Sequence, residues 1–217
     1  MTSKWDRWAP LSGVLAVVFW VIGIILISTK ATGSKGPKIL AAYHQHYNAI
    51  LVGGLLFSLG VLLFIWFLAS VRSHYLTLEG GTGRLSTLAF SGGLAASVIA
   101  LLIPTPDEVG ALDRKDIDAS GAAVLHHSTD AFFIASEYVL AIFFIASAIM
   151  ALRHGALPKW LGWLSALIGV VLLIGPIGWA AFIFATPIWV LIVSVLLVRR
   201  AGAEQPATLT PALGAAD

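Results

Sequence analysis

Cysteine is absent from the chain, which excludes disulfides, thiolate metal sites and thiol catalysis. Charge is scarce as well. Asp, Glu, Lys and Arg make up 11% of the 217 residues, against about 25% in a soluble domain whose surface must be solvated. The net charge of +2 lacks the concentrated basic face that nucleic acid demands, so no nucleic-acid partner is expected. Metal sites built from histidine or carboxylate survive these exclusions. What fills the chain instead is apolar: 59% of residues are hydrophobic, the balance of a surface that faces lipid tails.

A membrane span needs roughly 20 mainly apolar residues to cross about 30 Å of hydrocarbon. Six segments qualify: 11–28, 49–70, 86–104, 131–152, 160–176 and 179–198. The expected fold is all-α, a polytopic membrane helical bundle of about six transmembrane helices. One transmembrane domain over 1–200 precedes a disordered cytoplasmic tail, 201–217, rich in alanine and containing two prolines. Lys4 and Arg7 precede the first segment as they would in a signal peptide. No small-x-small cleavage pattern follows, only Ile27-Ser28-Thr29-Lys30, so it reads as a retained span.

Lys and Arg in short loops set the orientation. With the N-terminus inside, the cytoplasmic segments hold Lys4, Arg7, Arg72, Arg84, Arg153, Lys159, Arg199 and Arg200. The outer loops hold Lys30, Lys35, Lys38, Arg114 and Lys115. A weak internal repeat agrees. Odd spans start on a basic residue and a Leu-Ser step, and even spans end on an aliphatic residue and arginine, as in Val71-Arg72, Leu152-Arg153 and Val198-Arg199. Three helical hairpins, each starting and ending on the cytoplasmic side, would give this pattern. So would basic residues collecting at cytoplasmic helix ends without any repeat. Trp5, Trp8, Trp160 and Trp163 fit an inner aromatic belt; Tyr43, Tyr47 and Trp179 fit an outer one. Small residues four apart (Gly54 with Ser58, Gly92 with Ala96, Gly93 with Ser97) mark close helix packing.

Three blocks carry a family likeness: Phe64-Ile65-Trp66-Phe67-Leu68, Gly83-Arg84-Leu85-Ser86, and the run from Gly155 through Pro158-Lys159-Trp160 to Trp163. They resemble recurrent blocks of an uncharacterised actinobacterial family of six-span membrane proteins, catalogued only as a domain of unknown function. The resemblance implies six spans and a bacterial plasma membrane. It implies no catalytic residue.

Chemistry concentrates where the second and fourth spans enter from the outer side. Pro37 suits the first turn of a helix running unbroken into the second span. That helix carries Tyr43, His44, Gln45, His46, Tyr47 and Asn48 to the interface, and the fourth carries His126, His127 and Asp130, then Glu137 inside the membrane. At 100° per residue, His126, Asp130 and Glu137 fall within an arc of about 40°, with Glu137 roughly 10 Å deeper than Asp130. A carboxylate at that depth costs several kcal/mol unless neutral or paired. It therefore faces the bundle interior, as a functional group or as a packing hydrogen bond. The acids of the second outer loop, Asp107, Glu108, Asp113, Asp116 and Asp118, read as solvated surface charges.

No metal and no cofactor are expected. His44 with His46, and His126 with His127, point about 200° and 100° apart on a helix, so neither pair chelates. His74 and His154 read as solvated residues at inner helix ends. The leading expectation for function is an acid–base enzyme of cyclase or isomerase type on a lipophilic small molecule. Glu137, Asp130 and His126 would be catalytic, and His44, Tyr47, Asn48, His127 and Phe133 would bind ligand. Two alternatives stand beside it: a non-catalytic module binding membrane lipids or another protein, and a proton-coupled transporter. Against transport, the chain lacks paired broken helices, and Pro187 is its one proline well inside a span.

Overall fold

The computed structural model describes residues 8–28 and 35–203. Lys4, Trp5, Arg7, Lys30 and the tail from 204 onward lie outside them. A 3-10 turn at Ala9–Leu11 leads into α1 (Ser12–Ser28). There follow α2 (Gly36–Gln45), α3 (Tyr47–Glu79), α4 (Arg84–Ala100), α5 (Thr105–Leu112), α6 (Ala119–His154), α7 (Lys159–Leu172) and α8 (Gly175–Ala180). A π-helical segment (Ala181–Ala185) then continues into α9 (Thr186–Ala203). No strand occurs among the described residues.

Among the described residues, five helical stretches are long and apolar enough to cross a membrane by length and composition: Ala9–Ile27, Tyr47–Glu79, Arg84–Leu112, Ala119–His154 and Ile177–Ala201. The chain is a multi-pass membrane protein. The segment 160–176, expected as a full span, forms the shorter α7 of 14 residues, about 21 Å of helix. Turns at Leu173 and Ile174 end it, and α8 starts afresh at Gly175.

α1 packs along α3, and α4 along α6, as the first two expected hairpins require. The third pair differs: α7 lies mainly along α6, and meets α9 through a 2.8 Å bond from Trp189 Nε1 to Ser165 Oγ. Small residues set the close approaches. Gly23 of α1 faces the backbone of α3, where a Cβ would stand 2.6 Å from Phe57 N; Gly92 of α4 lies against Ile142 and Phe143 of α6. Aromatic side chains fill the centre. Trp20, Phe57 and Phe64 meet edge-on or tilted, and Phe67, Phe143 and Phe144 surround the fully buried Trp189.

Pro187 explains the π segment. It donates no N–H to Ile183 and its ring crowds that carbonyl, so the helix widens by one residue just before it. Thr186 Oγ1 donates to Ala181 O at 3.1 Å, the carbonyl that also accepts the Thr186 backbone N–H.

α3 and α6, with 33 and 36 residues, reach about 50 and 54 Å, well beyond a hydrocarbon layer of about 30 Å. At one end of the bundle their overhang meets α2 and α5 and forms a cap. The helix expected to run unbroken from Pro37 breaks at His46, whose backbone (φ −120°, ψ 23°) is not helical. The break lets α2 leave the line of α3 and lie on α6, burying Ile39 and Tyr43 with Ile50, Ala111 and Ala122 in a second, smaller core.

Candidate functional site

The cap is built around one buried carboxylate. Thr105-Pro106-Asp107-Glu108 starts α5, with proline in the first turn and acids at the positive end of the helix. Asp107 thereby turns inward and is 1% exposed. Its Oδ1 accepts from Tyr43 Oη of α2 at 2.7 Å and from His126 Nδ1 of α6 at 2.9 Å. Asp107 was expected among solvated loop acids. It is instead the group that ties three cap helices together.

The geometry fixes the protons. A carboxylate only accepts, so Nδ1 of His126 carries the hydrogen, and in the neutral ring Nε2 keeps a lone pair. His126 remains about a quarter exposed (27% of its side chain). Burial, and then the bond to Asp107 and its charge, hold the Tyr43 phenol well above the ordinary tyrosine value, so it stays a donor. Beside this triad, Glu108 rests against Gly54 of α3, and the Arg114 guanidinium lies 3.9 Å from the centre of the Tyr47 ring.

The other expected residues scatter. Asp130 is exposed, and its nearest ionic neighbour is the exposed His127 at 4.0 Å rather than His126. His44 and Asn48 are exposed on the cap surface. Phe133 lies tilted against Phe182 of the π segment, with ring centres 4.8 Å apart. Glu137 faces the interior at 1% exposure. It lies eleven residues from His126 along one helix, about 16 Å of rise, so the shared helical arc does not become one pocket. Neither Glu137 oxygen has a hydrogen-bond partner among the described residues. Gly178 of α8 makes room for the carboxyl, since a Cβ there would stand 2.6 Å from Oε2. No three His, Asp or Glu side chains converge as metal ligands among the described residues.

Two further spaces lie among the described residues. In the centre, Trp20, Val61, Phe64, Ala96, Leu140 and Phe182 surround an apolar gap of about 20 Å³. At the end away from the cap, α3, α4 and α9 border a lateral cleft of about 640 Å³. His74 and Arg200 stand in it, the former expected merely as a solvated helix end. The signal for this pairing was in the sequence only as two polar residues at helix ends expected on one side of the membrane. No family model, curated protein or solved structure matches the chain, so what it does must be argued from these residues.

Proposed function

We propose that the protein is a non-catalytic, lipid-binding module of a bacterial plasma membrane, crossing it six times with both termini in the cytoplasm. Packing at the level of Glu137 carries this reading. The gap beside Leu140 and Phe182 holds about 20 Å³, roughly the room one water needs. No lipophilic substrate fits this gap, whereas the lateral cleft offers amphiphile-sized room open to the lipid side. The sixth crossing is supplied by α7 with the turn after it and α8, whose Gly178 stands against Glu137. The blocks around Phe64, Gly83 and Gly155 support kinship with the actinobacterial six-span group.

Gentle extraction of the full chain from bacterial membranes, followed by native mass spectrometry, tests the binding. About one phospholipid should remain per chain, and chains that all emerge lipid-free would end the reading. Orientation is tested with cysteines at Ser73 and Ser120 and an impermeant thiol reagent on intact cells. Labelling at position 120 alone is expected, and labelling at 73 alone reverses the topology.

One observation favours a second reading, an acid–base enzyme acting at the outer surface. Asp107 orients His126 through Nδ1 and leaves Nε2 as a base, the arrangement general-base histidines use. On that reading, lipid extracts of cells making the protein contain a product that disappears with His126→Ala.

A further inference from the structure

The lateral cleft has a direction. Ile65 and Trp66 of α3, Phe90 of α4 and Leu197 of α9 form apolar walls, while Ser70, Ser73 and Arg200 supply polar groups. Trp66 and Ser73 lie seven residues apart on α3, about 10 Å, so the cleft turns from apolar to polar toward the end of the bundle. Trp66 is 71% exposed, which sets its indole on the open, lipid-facing side of the wall.

The polar end is cationic and held in place. Arg200 Nη1 donates to the Ala156 carbonyl at 2.7 Å and stands 2.9 Å from His74 Nε2, itself 2.8 Å from the same carbonyl. These contacts fix one corner of the guanidinium. Among the described residues, the recorded bonds of Arg200 all run through Nη1, and the planar fork has further N–H donors on Nη2 and Nε. A second guanidinium, Arg72, lies 5.7 Å from the centre of the Phe90 ring on the cleft wall. Among the described residues, none of those lining the cleft is acidic.

We propose that this cleft holds an acidic phospholipid, its phosphate against Arg200 and the hydroxyls of Ser70 and Ser73, one acyl chain along Trp66 and Phe90. The inference rests on the lipid-binding reading above and adds the headgroup charge and the address. Arginine matches a phosphate through its fork of donors. With no carboxylate among the described lining residues, a zwitterionic lipid finds no partner there for its ammonium group. A free anion would leave the apolar wall unfilled. Ala9, Pro10 and Ala201 also line the cleft, so the chain's own terminal residues are the rival occupants that a test must separate.

The full-length chain is titrated in mild detergent with phosphatidylglycerol or phosphatidylcholine and read by native mass spectrometry. Phosphatidylglycerol should bind at least about tenfold more tightly. Arg200→Gln should bring it down to the phosphatidylcholine level, while Arg199→Gln, an exposed neighbour, should leave the preference in place. Ala69→Phe, which fills the cleft without touching its charge, should block binding of either lipid. If Arg200→Gln does not fold, Ala69→Phe and the double change Ser70→Ala with Ser73→Ala carry the test, and a preference untouched by both overturns the proposal. Equal binding of the two lipids by the unmodified chain overturns it while leaving lipid binding intact. So do an equal loss of preference in Arg199→Gln, displacement by millimolar inorganic phosphate, and binding that emerges only after removal of residues 204–217. No retained lipid of any kind removes both readings.

Discussion

The two ends of this bundle treat their polar groups in opposite ways. In the cap, Tyr43, Asp107 and His126 turn toward one another, and a single carboxylate oxygen serves two donors. At the other end, Ser70, Ser73 and Arg200 stand around an open cleft, with one guanidinium corner anchored. Polar groups closed on one another hold helices together. Polar groups left facing a space are available to a visitor. The difference predicts where substitutions are felt as stability and where they are felt as binding.

The largest effect should come from Asp107→Leu. It leaves the buried Tyr43 hydroxyl and His126 without their acceptor, and should destabilise the cap by about 2–4 kcal/mol. Hydrogen exchange in detergent should show faster exchange across α2 than across α4. Uniform behaviour of the two helices would break the comparison.

Next comes Glu137→Leu, with the opposite sign. The sequence suggests a loss, because an intramembrane carboxyl ordinarily has a hydrogen-bond partner to strand. The structure gives the carboxyl none among the described residues, so an apolar side chain of similar volume should stabilise the bundle by about 1–2 kcal/mol. A fall in thermal midpoint would mean that Glu137 has a partner after all. A rise would mean that the glutamate is kept for something other than folding.

Tyr43→Phe is milder, about 1 kcal/mol, because Asp107 keeps His126. It also carries a pH signature. The native phenol holds its proton more tightly than the unfolded one, so its stability contribution is intact below the ordinary tyrosine value of about 10. It is then lost as pH rises beyond that value. Unfolding midpoints measured from neutral to alkaline pH should therefore fall less steeply in Tyr43→Phe. The smallest effect should be Ser73→Ala at the open end, within about 0.5 kcal/mol, because Ser73 is exposed. A larger loss there would show that the cleft residues also hold the bundle.

The helical membrane architecture was legible because apolar runs of span length leave few other folds. The inward turn of Glu137 was legible for a related reason, since a carboxyl at that depth avoids lipid. The partner of His126 was not. A helical wheel compares residues of one helix and offers Asp130, whereas Asp107 arrives from α5 through tertiary packing. Its start signal, Thr105-Pro106 followed by two acids, lay inside a stretch read as a charged loop. The break at His46 was equally hidden, because no proline or glycine marks it. Nor does any single-helix pattern join His74 to Arg200, 126 positions apart.

The length of α6 has one more consequence. Its 36 residues run without interruption from the cap to the end that holds His154, so cap post and membrane span are one rod of about 54 Å. A tilt of about 5° imposed at the cap would sweep the far end sideways by about 5 Å, by the same length. That end lies beside Ala156, whose carbonyl anchors Arg200. One continuous helix therefore joins the polar cap to the neighbourhood of the cleft's arginine anchor.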